Sequence, residues 1–300
     1  ILAVANQAVV SSDTGAISIT GTSSGSTGFY TQNNTSISSS SGGSITLTGN
    51  ATGSGGGVGL NLTNGSVTTT GQVQLNGTAV TNIGVINNAA VTGGSVSITG
   101  TVSGNAGGVS NSGAVTATAG NVNITGSSGG TTSGGGVYSS AAITSNTGDV
   151  NVTGTALVGG GITLQGTVTA QNNVNINGTS SDAASTAQGV VIQNAVKANT
   201  GDITVTGNTN SNVQRAVAVT VNGANNGSLQ TVASGRNINI NADTLLVNTA
   251  SSVDAGATGT VNIKTTNGNC IELGSGDTMN STAASRVLGL DQGELDRITS

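Results

Sequence analysis

Gly120-Asn121-Val122-Asn123-Ile124-Thr125-Gly126 is a short segment in which Val122 and Ile124 alternate with polar neighbours between two glycines. A period of two is that of a half-buried strand with one face on a core. Nine further copies of the pattern begin at Gly15, Gly43, Gly71, Gly94, Gly148, Asn172, Gly201, Arg236 and Gly259. The leading apolar residues are Ile17, Ile45, Val73, Val96, Val122, Val150, Val174, Ile203, Ile238 and Val261. All are β-branched, which suits a pleated, half-buried surface. Successive copies lie 28, 28, 23, 26, 28, 24, 29, 35 and 23 residues apart, within the range of periods that marks a solenoid.

Such intervals exceed one strand and its turn, so each must hold additional strands. One set is expected just before the next copy, at Ile37, Val67, Val91, Val115, Ile143, Val168, Val196, Val232 and Val253. Another is expected mid-interval, at Phe29-Tyr30, Val58 to Leu60, Val80 to Ile83, Val109, Val137-Tyr138, Val190 to Ile192 and Val217 to Val221. Three strands per interval make an all-β, three-sided parallel β-helix of about ten rungs, with each strand paired to its equivalent one turn away. At about 4.8 Å per rung the body spans roughly 50 Å. The leading column and a second one (Ile19, Leu47, Leu75, Ile98, Ile124, Val152, Ile176, Val205, Ile240, Ile263) should fill the interior. Between them, residues such as Asn123, Asn151 and Asn175 should form an uncharged ladder facing solvent. Regular rungs cover 15–265, and with no linker visible the chain reads as one continuous body over 1–300.

The composition would suit a disordered chain if the period were ignored: 50 glycines, no proline, no tryptophan and no histidine. In a solenoid the same residues have places. Glycine, asparagine, serine and threonine serve the corners, and proline would break a ladder paired on both edges. Six basic and eleven acidic residues give a net charge of -5, which is not the basic footprint that nucleic acid requires. No apolar run is long enough to span a membrane and no signal peptide is visible. Cys270 has no partner in the chain for a disulfide, and the flanking Cys-Ile-Glu-Leu alternation suggests a buried or half-buried thiol on another strand.

Seven of the charged residues fall within 270–300, where the repeat changes into Val287-Leu288-Gly289-Leu290-Asp291-Gln292-Gly293-Glu294-Leu295-Asp296-Arg297-Ile298-Thr299-Ser300. Asp291 and Glu294 have capping-box spacing for a short helix carrying Leu295 and Ile298. The Leu288-Gly289-Leu290, Glu294-Leu295 and Ile298-Thr299 element, together with the rungs, resembles very large repetitive bacterial surface proteins of the filamentous-haemagglutinin-like class. That resemblance implies a right-handed β-helix, extracellular or at the bacterial cell surface, serving as a stalk, adhesin or matrix fibre. It also implies partners: further copies end to end, and host or neighbouring-cell surfaces or glycans. The chain does not open with methionine, neither end offers an evident cap, and Ser300 followed by Ile1 would continue the resembled pattern. Residues 266–300 are therefore expected to be a variant rung at a junction between repeats.

An enzyme of this architecture, such as a polysaccharide lyase, needs clustered carboxylates beside cations. The acids here are scattered in sequence. Asp149 and Asp202 occupy equivalent positions two rungs apart with Asn173 between them, where holding a turn is the expected role. With no histidine and one cysteine, neither a zinc set nor a nucleophile–histidine pair can be composed. No catalytic, cofactor-binding or metal-binding residue is assigned. Gly274-Ser275-Gly276-Asp277 is similar to part of a calcium repeat but occurs once. The glycine runs from Gly53 and Ser133 lack the Lys-Ser/Thr of a phosphate loop and read as corners. Thr46/Thr48, Thr116/Thr118, Thr167/Thr169 and Thr204/Thr206 raise an ice-binding face, although the uneven intervals are expected to break its register. Phe29, Tyr30 and Tyr138 are too few for a stacked glycan platform and are expected to pack locally or stand alone.

Overall fold

The structure is a computed structural model describing residues 2–4, 8–32, 34–183, 187–211, 214–223, 225–277 and 286–300. Its chain winds through three parallel sheets in a fixed order. Among the described residues the first sheet has ten strands, from Leu2–Val4 and Phe29–Thr31 to Leu245–Val247. The second has eleven, from Val9–Ser12 to Ile298–Thr299, and the third has ten, from Ile17–Ser23 to Thr260–Lys264. The fold is a parallel β-solenoid of about nine turns, as the periodicity predicts.

All ten leading residues fall opposite one another in the third sheet, for example Ile17 on Ile45, Val122 on Val96 and Val150, and Ile238 on Ile203 and Val261. Val122, Ile124, Val150 and Val152 are fully buried in a core that runs the length of the coil. Length variation is absorbed outside the sheets. The 35-residue interval holds an extra antiparallel pair, Val221–Asn222 with Asn225–Asn226, beside Gly223 in left-handed conformation at φ +61°. Outward positions form the anticipated ladder: Asn151 Nδ2 donates to Asn123 Oδ1 at 2.8 Å and Asn175 Nδ2 to Asn151 Oδ1 at 2.9 Å. A second ladder is buried, with Asn87 Nδ2 donating to Asn111 Oδ1 and Asn111 Nδ2 to Ser139 Oγ.

The glycine that closes each of the first eight copies has a steric origin. A side-chain carbon on Gly126 would overlap the carbonyl oxygen of Gly136, where the coil turns into the next first-sheet strand. Gly49, Gly77, Gly100 and Gly154 are in the same situation.

Five strand assignments are corrected. In the third interval the first-sheet strand is Val85–Asn87, while Val80 and Ile83 lie in the corner, half-buried. Leu60–Leu62 is displaced by two residues from Val58. Strands Ile162–Leu164 and Leu245–Val247 carry no counterpart in the sequence reading. A usable signal exists, because Gly28, Gly59, Gly84, Gly108, Gly136, Gly161 and Gly189 each stand directly before, or one position ahead of, an apolar residue of this sheet. In the second sheet the inward residue is Leu229, paired with Val196 and Val253, whereas Val232 is 57 % exposed. The corner after Leu229 is longer than its equivalents, so counting back from Ile238 selects the wrong residue. Cys270 is exposed. Among the described residues the adjoining strand Ile271–Leu273 pairs with Leu288–Leu290 alone, outside the three sheets, which leaves it exposed.

Three substitutions test this packing. Val150→Asp places an unpaired charge in the core and should cost several kcal/mol. Asn151→Asp alters a solvated ladder and should cost under about 1 kcal/mol; equal urea midpoints for the two variants would refute the inward assignment. Gly126→Ala, though minimal in size, should cost about 1–3 kcal/mol by overpacking, measured by the same denaturation.

Candidate functional site

Asp149 and Asp202 belong to a column at the corner before the third sheet. Asn121 Oδ1 accepts from Asp149 N at 2.8 Å, and Asp149 Oδ1 accepts from Asn173 N at 2.9 Å. Asn173 Oδ1 then accepts from Asp202 N at 2.9 Å, and Asp202 Oδ1 from Asn237 N at 2.8 Å. Each side-chain oxygen therefore holds the backbone of the next rung. This is the turn-holding role that their spacing suggests, extended into a spine along the axis.

Buried charge collects at the C-terminal end. The last first-sheet strand, Leu245–Val247, presents an edge with no further strand of that sheet among the described residues. Side chains occupy it instead. Asp277 Oδ2 accepts from Leu245 N at 3.1 Å, and Glu294 Oε1 accepts from Val247 N at 3.2 Å. Arg297 Nε donates to Val247 O at 2.9 Å. The other carboxylate oxygens are also engaged: Asp277 Oδ1 by Gly289 N at 2.9 Å and Glu294 Oε2 by Asp291 N at 3.3 Å. Arg215 Nε lies 2.7 Å from Asp277 Oδ2 but off the axis of its N–H, a close charge contact rather than an aligned hydrogen bond. Arg286 donates to Thr209 O and, at 2.9 Å, to Ser211 O.

The expected capping box is present, with Asp291 as N-cap of the helix Gln292–Leu295. Ile298 does not belong to that helix; it enters the second sheet opposite Val253. The first sheet therefore has a C-terminal cap, contrary to the sequence reading. The sequence hides it, because the participants are Arg215, Asp277, Glu294 and Arg297, spread over more than eighty positions. Charges scattered in sequence are brought by the winding to one sheet edge. Both oxygens of Asp277 are occupied by protein donors, and among the described residues no group of three or more His, Cys, Asp or Glu side chains is arranged for a metal.

Burial pushes the Asp277 carboxyl up to about 7, with Arg215 opposing the shift. Burial also raises Glu294 and lowers Arg286.

Two surface features complete the inventory. The outward residues of the third sheet include the columns Thr99, Thr125, Thr153, Asn177, Thr206 and Thr101, Ser127, Thr155, Thr179, Asn208, in unbroken register. Uneven intervals do not disrupt them, because the corners take up the difference. The quoted Thr-x-Thr pairs do not share this face: Thr46/Thr48 and Thr204/Thr206 lie on it, whereas Thr116 and Thr169 are in the second sheet. On the outer side of the first sheet, a hollow of about 310 Å³ is lined by Gly107, Gly135, Gly160, Ser110, Tyr138 and Thr163, among others. Tyr138 is thus part of a concave surface rather than an isolated ring.

Comparison with protein families, curated proteins and solved structures finds no match. No helix among the described residues is long and apolar enough to cross a membrane.

The cap carries a pH prediction. Asp277 has a folded pKa of about 7, above its ordinary value of 3.8, so its contribution to stability is complete below about 4 and is lost as pH rises through about 7. Glu294 acts in the same direction. The charged groups facing Asp277 are Arg215 and Glu294. Hydrogen exchange at Leu245 and Gly289 should accelerate between pH 5 and 8 beyond the intrinsic chemical rate, and Asp277→Asn should flatten that dependence. A wild-type profile that follows the intrinsic rate alone would contradict the assignment.

Proposed function

We propose that this chain is a non-enzymatic structural segment of an exported β-helical fibre or stalk, of the surface-adhesin or extracellular-matrix type. The observation that carries the reading is the uninterrupted parallel ladder, ten or more strands in each of three sheets around one core. Such a body transmits register and load along one axis, and its length scales with the number of turns. The rung pattern and the Leu288–Thr299 element add the resemblance to filamentous-haemagglutinin-like proteins. Within that reading, further copies follow end to end beyond Ile298–Thr299, where the second sheet resumes after the cap. A carbohydrate-cleaving activity is less well supported, because the clustered carboxylates are turned onto backbone N–H groups with all four of their oxygens engaged.

Excision of residues 122–173, from one leading strand to that two turns later, should leave a folded rod shorter by about 10 Å in small-angle scattering. Collapse of the shortened chain would sink the idea of an additive spacer. Export has its own test in the exposed Cys270, the chain's one cysteine. A membrane-impermeant maleimide should label it on intact source cells, and labelling only after lysis would place the protein inside.

A second reading is favoured by one observation, the uncharged Thr/Ser/Asn columns in strict register on the third sheet. A flat periodic array of this kind suits an ice surface. Inhibition of ice recrystallisation, abolished by Thr125→Lys and Thr153→Lys, would establish it, and an inactive wild type would remove it.

A further inference from the structure

The residue two positions before each first-sheet strand reads, turn by turn, Thr27, Val58, Ile83, Gly107, Gly135, Gly160, Gln188, Arg215 and Asp243. Three consecutive turns thus carry no side chain where every other turn has one. Backbone geometry does not impose this. A side-chain carbon on Gly107 would stand 3.6 Å from Gly135 O, on Gly135 3.4 Å from Gly160 O, and on Gly160 3.5 Å from Gln188 O, all ordinary contacts. None of the three has positive φ. Their neighbours differ, since side-chain carbons on Gly108, Gly136 and Gly161 would collide with backbone. The fold needs glycine at the second set and not at the first. What the first set produces is space.

That space is the hollow of about 310 Å³ beside Tyr138, closed toward the N-terminal turns by Ile83. It runs about 10 Å from Gly107 to Gly160. Ser110 and Thr163 flank Tyr138 in register on the adjacent strands, which sets one hydroxyl on each side of the ring. The ring is fixed in place, because Tyr138 Oη donates to Gln165 Oε1 at 2.6 Å and Gln165 Nε2 donates to Gln193 Oε1 at 3.0 Å. No lining residue is charged.

From this geometry we infer that the hollow is a binding site for a short neutral saccharide. A pyranose presents an apolar C–H face and a rim of hydroxyls. Tyr138, with the glycine floor, matches the face, and Ser110 and Thr163 match the rim. A charged ligand would find no counter-ion here. The volume lies at the lower end of small-molecule pockets, which run from ~300 to 1,000 Å³, so one or two sugar units fill it, and the open side lets a longer chain pass through. A pinned aromatic ring limits the ordering cost of binding. This inference does not depend on the stalk reading; a spacer and a dedicated binding module could equally carry the site.

The test uses the whole chain and a defined panel: maltotriose, cellotriose, lactose, N,N′-diacetylchitobiose and, as a charged comparator, sialyllactose. Saturation-transfer NMR followed by calorimetry should show at least one neutral member bound with Kd of about 1 mM or tighter. Gly135→Leu fills the hollow without violating the backbone and should weaken that binding at least about tenfold, with the thermal midpoint unchanged. Tyr138→Ala, at an exposed position, should do the same and serves if Gly135→Leu misfolds. Tyr30→Ala, outside the hollow, should leave binding intact. Absence of binding by every neutral sugar at about 10 mM, binding that survives both hollow variants, or preference for sialyllactose would each overturn the assignment.

Discussion

Pairing of each strand with its equivalents one turn earlier and one turn later is the constraint from which the other features of this molecule follow. It satisfies the backbone N–H and C=O groups of interior turns on both edges, so the chain tolerates no proline in its strands and uses none. It also fixes register, so identical positions stack into columns of Val and Ile inside and of Asn and Thr outside. A side chain that can both donate and accept then bonds its own copy above and below. The asparagine runs at 123, 151 and 175 and at 87 and 111 are consequences of that stacking.

A ladder that satisfies itself internally has a problem at its ends, where a row of unpaired groups would invite another edge. At the C-terminal end of the first sheet the row is met by carboxylates and a guanidinium. Carboxyl and guanidinium groups make strong hydrogen bonds to backbone. The cost is desolvation, visible as the raised pKa of both acids. Almost all of the chain's buried charge is concentrated where the repeat stops. In the corner column before the third sheet the same task is shared by the amides of Asn121 and Asn173 and the carboxylates of Asp149 and Asp202.

Legibility from sequence divides along the same line. Every third-sheet strand was readable, because Val-x-Ile between turn residues repeats with little noise and the register in the fold matches it residue for residue. First-sheet strands are only three residues long, too short for alternation to show, and nearby apolar residues such as Val80 and Ile83 mask them. Second-sheet strands are legible from Ile37 to Val253 except where a longer corner displaces Leu229 from the expected count; the terminal strands Val9–Ser12 and Ile298–Thr299 lie outside the repeat that reveals the others. The cap was illegible for another reason: its members lie far apart in sequence, and only the winding of the coil brings them to one edge. The hollow was hidden inside composition. Ser133-Gly134-Gly135-Gly136 looks like any other corner.

Glycine in this chain has two meanings that composition merges. At Gly126 or Gly136 it is the only residue that lets one segment of backbone pass another, so its presence reports the fold. At Gly107, Gly135 and Gly160 the backbone would accept a side chain, and the turns before and after supply one. A steric requirement cannot account for the second kind. In a repeat architecture the comparison is internal, since each turn is a control for the next, and a position that departs from its own column without backbone cause marks where selection for something other than folding can act. Three such departures in consecutive turns, beside the one ring held in place by a glutamine relay, are more informative here than any single residue type. That is why a low-complexity stretch, ordinarily set aside as a linker or corner, is where the proposed saccharide site lies.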